Sequence, residues 1–106
     1  MYGQEHPAEG VQIEDLVLDI GEGVGALVLY TGPELSGKEV EVSPRGDDAS
    51  RTHTVVHERR VLGRVVFAGV FPDLAAGDYS IRTDVPRPVT VFTIRSGEVT
   101  EVDWRR

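Results

Sequence analysis

Apolar residues along this chain come in short alternating runs broken by glycine and proline, and nowhere do they recur at i, i+3, i+4 and i+7 over three turns. Alternation of period two sends successive side chains to opposite faces of an extended chain, so the pattern predicts strands, not helices. The runs fall at 11–20, 26–30, 39–43, 53–59, 61–71, 79–83, 89–94 and 99–104. The segments between them, at 21–25, 32–33, 36–37, 44–50, 72–73, 77–78, 86–88 and 96–97, are rich in Gly, Pro, Asp and Ser, the residues that turn a chain. Seven to eight short strands at this even spacing predict an all-β, antiparallel β-sandwich.

A chain of 106 residues has room for a single core. Residues 1–10 are polar and patternless and are expected as a flexible tail, with 11–106 forming the sandwich. The absence of cysteine removes a disulfide framework and thiolate metal sites. Neither a basic-then-apolar leader nor an apolar run long enough to cross a membrane is present, so a cytoplasmic protein is expected.

Charge sharpens this picture through its distribution more than its total of −7. Residues 1–48 hold eleven acids against two bases, and residues 49–106 seven acids against nine bases. A chain so balanced repels phosphate backbones and anionic lipid, and neither nucleic acid nor membrane is expected as a partner. Arg45, Arg51, Arg59, Arg60 and Arg64 are a possible local basic patch; the plainer reading pairs these arginines with the acids of the first half.

The stretch FAGVFPDLAAGDYSI, residues 67–81, carries the most distinctive pattern. Pro72 cannot donate to a ladder, so the strand is expected to stop at Phe71, with Leu74 reaching back to the core, Gly77 turning the chain, and Tyr79 and Ile81 pointing inward. Phe-x-x-Leu-x-x-Gly-x-Tyr-x-Ile resembles the corner of prealbumin-like sandwiches: carboxypeptidase regulatory-like domains, pilin-type Cna-B modules and the transthyretin family. The closing hairpin, with Phe92 and Ile94 before Gly97 and Val99 and Val102 after it, is similar to theirs. The resemblance spans roughly residues 60–104 and implies a fold more than an activity. Within that group, LVLDIGEGVGA at 16–26 is similar to the first strand of hydroxyisourate hydrolases. Leu16 replaces their histidine, and Asp-Trp-Arg-Arg replaces their closing Tyr-Arg-Gly-Ser, so that activity is not implied. Some short actinobacterial proteins of similar appearance carry a phospholipase label, but neither a His-Asp pair at helical spacing nor a calcium loop supports it here.

RTHTVVHERR, residues 51–60, raises the question of a histidine site. On one strand His53 and His57 share a face but lie about 13 Å apart, too far to chelate one ion. No metal site and no cofactor are expected. The Gly-rich GEGVG at 21–25 is read as a hairpin turn, because strand residues follow where a phosphate loop needs a helix. No serine lies in a nucleophile elbow. Asp47-Asp48 is read as a solvated turn, and Trp104 as a core residue in preference to a sugar-stacking platform.

These readings favour a non-catalytic module that binds a protein partner, self-association included. Its expected contact surface is Arg51, His53, His57, Arg59, Arg60 and Arg64, or an exposed sheet edge. The alternatives are a small hydrolase with His53 or His57 as general base, and a carbohydrate binder presenting Trp104, Tyr30 or Tyr79 on one concave surface.

Overall fold

The computed structural model describes residues 4–7 as backbone, and 20–47, 49–83 and 90–105 in full. Within them lie nine strands: β1 (Gln4–Pro7), β2 (Val24–Thr31), β3 (Glu39–Pro44), β4 (Thr52–Val55), β5 (His57–Val61), β6 (Arg64–Ala75), β7 (Gly77–Thr83), β8 (Thr90–Ile94) and β9 (Val99–Asp103). A single 3-10 turn, Pro33–Leu35, joins β2 to β3. The strands form a five-stranded sheet, β1-β9-β2-β6-β5, and a four-stranded sheet, β4-β3-β7-β8. The all-β sandwich expected from the alternation is present.

Its details depart from expectation in three places: the direction of one pairing, residues 51–71 and Pro72. The sheets are not wholly antiparallel: β2 pairs with β9 in parallel, from Ala26↔Val99 to Tyr30↔Asp103. Gln4–Pro7, expected within a loose tail, pairs with β9 from Gln4↔Asp103 to Pro7↔Thr100. The strand expected at 11–20 lies outside the described residues except for Ile20, which is in no strand. Residues 51–71, expected as two strands, make β4, β5 and most of β6.

The third departure concerns Pro72. Strand β6 does not stop at Phe71 but runs on to Ala75. Gly25 pairs with Leu74 and Leu27 with Phe71, so Ala26 faces two residues of β6, Pro72 and Asp73. Proline is tolerated at such a bulge because the extra residue is already out of the ladder. Beyond it the corner forms as the sequence indicates. Leu74, Tyr79 and Ile81 are buried, and the Tyr79 hydroxyl donates to the Ala75 carbonyl at 2.6 Å across the turn. Its ring stacks on Phe92, with centroids 5.6 Å apart.

Between the sheets, Leu27, Leu29, Val40, Phe71, Ile81, Phe92, Val102 and Trp104 make one continuous core. Trp104 is 1% exposed, and its indole N–H donates to Thr90 Oγ1 at 2.9 Å. A buried indole N–H needs such a partner, and the core reading of Trp104 holds.

A second, smaller cluster lies on the other face of the five-stranded sheet. Val28, Ala68 and Val70 are buried there, with Tyr30, Val61 and Val99 packed against them. Central strand β2 is thus apolar on both faces, as strands covered on both sides are.

Candidate interaction surface

The six basic residues singled out in the sequence do not form one surface. Val56 is why: fully buried between β4 and β5, it bonds through its backbone to Lys38 and Gly37, and there the chain passes from one sheet to the other. His53 is therefore on β4, the edge of the four-stranded sheet, and His57 on β5, the edge of the five-stranded sheet. The two histidines share neither a strand nor a sheet, and the single strand expected over 53–59 is corrected to two.

Arg51 and His53 belong to an alternating charged face on β3 and β4. Arg51 Nη1 lies 3.8 Å from Glu41 Oε1, and His53 Nε2 3.8 Å from Glu39 Oε2. Both pairs are well exposed, and pairs of this kind contribute little. Arg51 thus meets a first-half acid, as the plainer reading expects of the arginines, whereas Arg59 bonds a backbone carbonyl instead.

His57, Arg59, Arg60 and Arg64 lie on the β5–β6 hairpin. Residues of odd number on β5 share the outer face of the five-stranded sheet with Tyr30 and Ala68; Glu58 and Arg60 point to the other side, opposite Phe67 and Val65. Arg59 Nε donates to the Ala68 carbonyl at 3.1 Å, and burial pulls its guanidinium below the ordinary arginine pKa. Leu62 and Gly63, at φ 51° and 78°, form the two-residue loop, the primed turn that matches the twist of paired strands. Leucine is an unfavourable choice for a left-handed position, and here its side chain is 69% exposed. Val65, two residues on, is 54% exposed. The hairpin tip thus presents two aliphatic side chains, Leu62 in the loop and Val65 across the ladder from Arg60.

At the base of this tip a cleft of about 330 Å³ is lined by Val61, Arg64, Val65 and Val66 from the hairpin, Tyr30 from β2, Glu101 from β9, and Arg105. It adjoins a second hollow of about 170 Å³ reaching Gly32, Pro33 and Phe67. Glu101 is 7% exposed and accepts a 2.5 Å hydrogen bond from the Tyr30 hydroxyl. Burial, then this bond, raise the Tyr30 pKa well above the ordinary phenol value. Arg105 is held by Asp103 in a bidentate pair, Nε–Oδ1 2.8 Å and Nη2–Oδ2 2.6 Å, which keeps the Asp103 carboxyl below its ordinary pKa.

The sequence reading missed Glu101, Arg105, Leu62 and Val65. Alternation in β9 does put Val99, Glu101 and Asp103 on one face. Nothing local says that this face is covered at Glu101.

A hollow of about 400 Å³ elsewhere has Ile20, Gly21, Val24, Asp73 and Ala75 as its lining among the described residues, of which Asp73 alone is charged. Among the described residues no three His, Asp or Glu side chains converge on a metal-sized site. Nor is any helix among them long and apolar enough to cross a membrane. Trp104 and Tyr79 are buried, so of the three aromatics considered for sugar stacking only Tyr30 reaches a cleft. Set against known proteins, the chain matches no family model, no curated protein and no solved structure.

Proposed function

We propose that this protein is a non-catalytic interaction module of the cytoplasm, built on a prealbumin-like sandwich, that contacts a protein partner, another copy of itself included, through the β5–β6 hairpin. The observation that carries this reading is the tip itself. Leu62 occupies a strained left-handed position where Asn or Gly serves better, yet it is turned to solvent beside exposed Val65. Strain kept at an exposed apolar position is more economically explained by a contact than by stability. Arg60, across the ladder from Val65, and Arg64, next to the Leu62-Gly63 loop, suit acidic groups on the partner, arginine being favoured at protein contacts. The corner from Phe71 to Ile81 supports the kinship with prealbumin-like sandwiches, and the lack of cysteine supports the compartment.

The test is capture from extract of the native cell by immobilised wild-type protein, Leu62→Asp and Arg59→Glu/Arg60→Glu. Loss of the same captured protein in both variants is expected, with the fold checked by circular dichroism. Equal capture by all three overturns the assignment to this hairpin.

A further inference from the structure

Among the described residues, strand β5 ends the five-stranded sheet and pairs with β6 alone. Its sequence, His57-Glu58-Arg59-Arg60-Val61, places one acid and one base symmetrically about Arg59. We infer that β5 pairs antiparallel with β5 of a second copy, about a two-fold axis at Arg59, so that Glu58 of each copy faces Arg60 of the other. The inference rests on the reading of the β5–β6 hairpin as a contact surface, and names its occupant.

The hairpin geometry selects the groups that are available. The loop Leu62-Gly63 makes Val61 and Arg64 a hydrogen-bonded pair, and bonding then alternates along an antiparallel ladder. Val61, Arg59 and His57 therefore turn their N–H and C=O groups toward β6. Those of Glu58 and Arg60 point away from it, off the edge of the sheet. Any strand added at this edge must bond to these two residues.

For a second β5, three registers satisfy that requirement. Pairing Glu58 with its own copy sets two carboxylates opposite each other, and pairing Arg60 with its own copy sets two guanidiniums opposite each other. Like charges directly across a ladder destabilise it. The remaining register sets Arg59 opposite its own copy on the other face, but it also pairs Glu58 with Arg60 twice, each pair exchanging both of its backbone bonds. Two opposite-charge pairs outweigh one like-charge pair, so this register is favoured over the other two. Both side chains are exposed and lie on one face, beside the exposed Val65. In this register the two exposed Leu62 side chains lie at the ends of the seam. The same charges that guard the edge against unrelated strands then specify its own copy, and the product is a continuous sheet across two molecules.

The test uses purified full-length protein in size-exclusion chromatography with light scattering and in hydrogen exchange, over concentrations up to millimolar. A concentration-dependent dimer is expected, with the Glu58 and Arg60 amides gaining protection as it forms. Glu58→Arg and Arg60→Glu should each weaken it by roughly tenfold to a hundredfold, since each turns two attractive cross-strand pairs into two repulsive ones. The charge-swapped double variant Glu58→Arg/Arg60→Glu should restore it. A monomer at every concentration, a dimer indifferent to either reversal, or a swap that fails to restore association overturns the inference. Should the protein stay monomeric while extract capture still depends on Leu62, the contact surface stands and the second copy falls. Should capture be indifferent to the variants as well, both fall.

Discussion

The hydroxyl of Tyr30, on β2, donates a 2.5 Å hydrogen bond to Glu101 Oε2, on the parallel neighbour β9, and so supplies the donor that a buried carboxylate requires. Tyr30→Phe should therefore destabilise the protein by about 1–3 kcal/mol, because the acceptor stays behind unsatisfied. Removing both groups, in Tyr30→Phe/Glu101→Leu, should cost less than the two single changes added together. Urea denaturation of the four proteins measures the coupling; strictly additive losses would show that the bond carries no net interaction.

The same burial makes an alkaline prediction. Tyr30 and Tyr79 both have phenol pKa values raised above 10.0, by burial first and, for Tyr30, by the bond to Glu101. The unfolded chain releases these protons near pH 10 while the folded one retains them. Their contribution is therefore complete below that pH and is lost as pH rises through the folded values. Ultraviolet phenolate titration should show two tyrosines ionising late and together with unfolding, and only one late tyrosine in Tyr30→Phe.

Leu62 offers a stability gain at the expense of the proposed contact. Asn-Gly suits the primed two-residue turn, so Leu62→Asn should stabilise the isolated molecule by roughly 0.5–1 kcal/mol while removing apolar contact surface. Chemical denaturation reads the first effect, and the capture assay the second. A destabilised Leu62→Asn would mean that the leucine packs within its own chain.

Gly25 has no room for a methyl group. A Cβ there would lie 2.3 Å from the Arg95 carbonyl oxygen and 2.9 Å from that of Glu98, backbone atoms of the β8–β9 turn. That turn is bonded to β2 through Ala26 N–H to the Glu98 carbonyl and Gly97 N–H to the Val24 carbonyl. Gly25→Ala should cost roughly 2–3 kcal/mol and lower the melting temperature by about 10 °C or more. A melting curve unchanged by the substitution would contradict this close approach.

Period-two alternation and punctuation by glycine and proline were enough to indicate an all-β chain, the corner from Phe71 to Ile81 and the inward Trp104, because each depends on neighbours close in sequence or on apolar burial alone. Pairing was not legible. A parallel β2–β9 partnership joins residues some 70 positions apart, and no local pattern distinguishes it from an antiparallel one. Pro72 misled because a proline that ends a regular strand also fits a bulge, and only the register with β2 tells these apart.

The basic stretch at 51–64 shows the division most clearly. Composition alone picked out the arginines and histidines, and the β-branched residues around them made an extended chain the natural reading. Val56 sits mid-run as one more valine, and nothing in the string marks it as the residue where the chain changes sheets. Long-range packing against Gly37 and Lys38 makes it so. That change of sheet put His53 and His57 on different sheets and left Glu58 and Arg60 facing outward at an edge, while the pairing of β2 with β9 set Tyr30 over Glu101. Local chemistry is written residue by residue, whereas adjacency belongs to the pairing of distant strands, and it is adjacency that makes a surface.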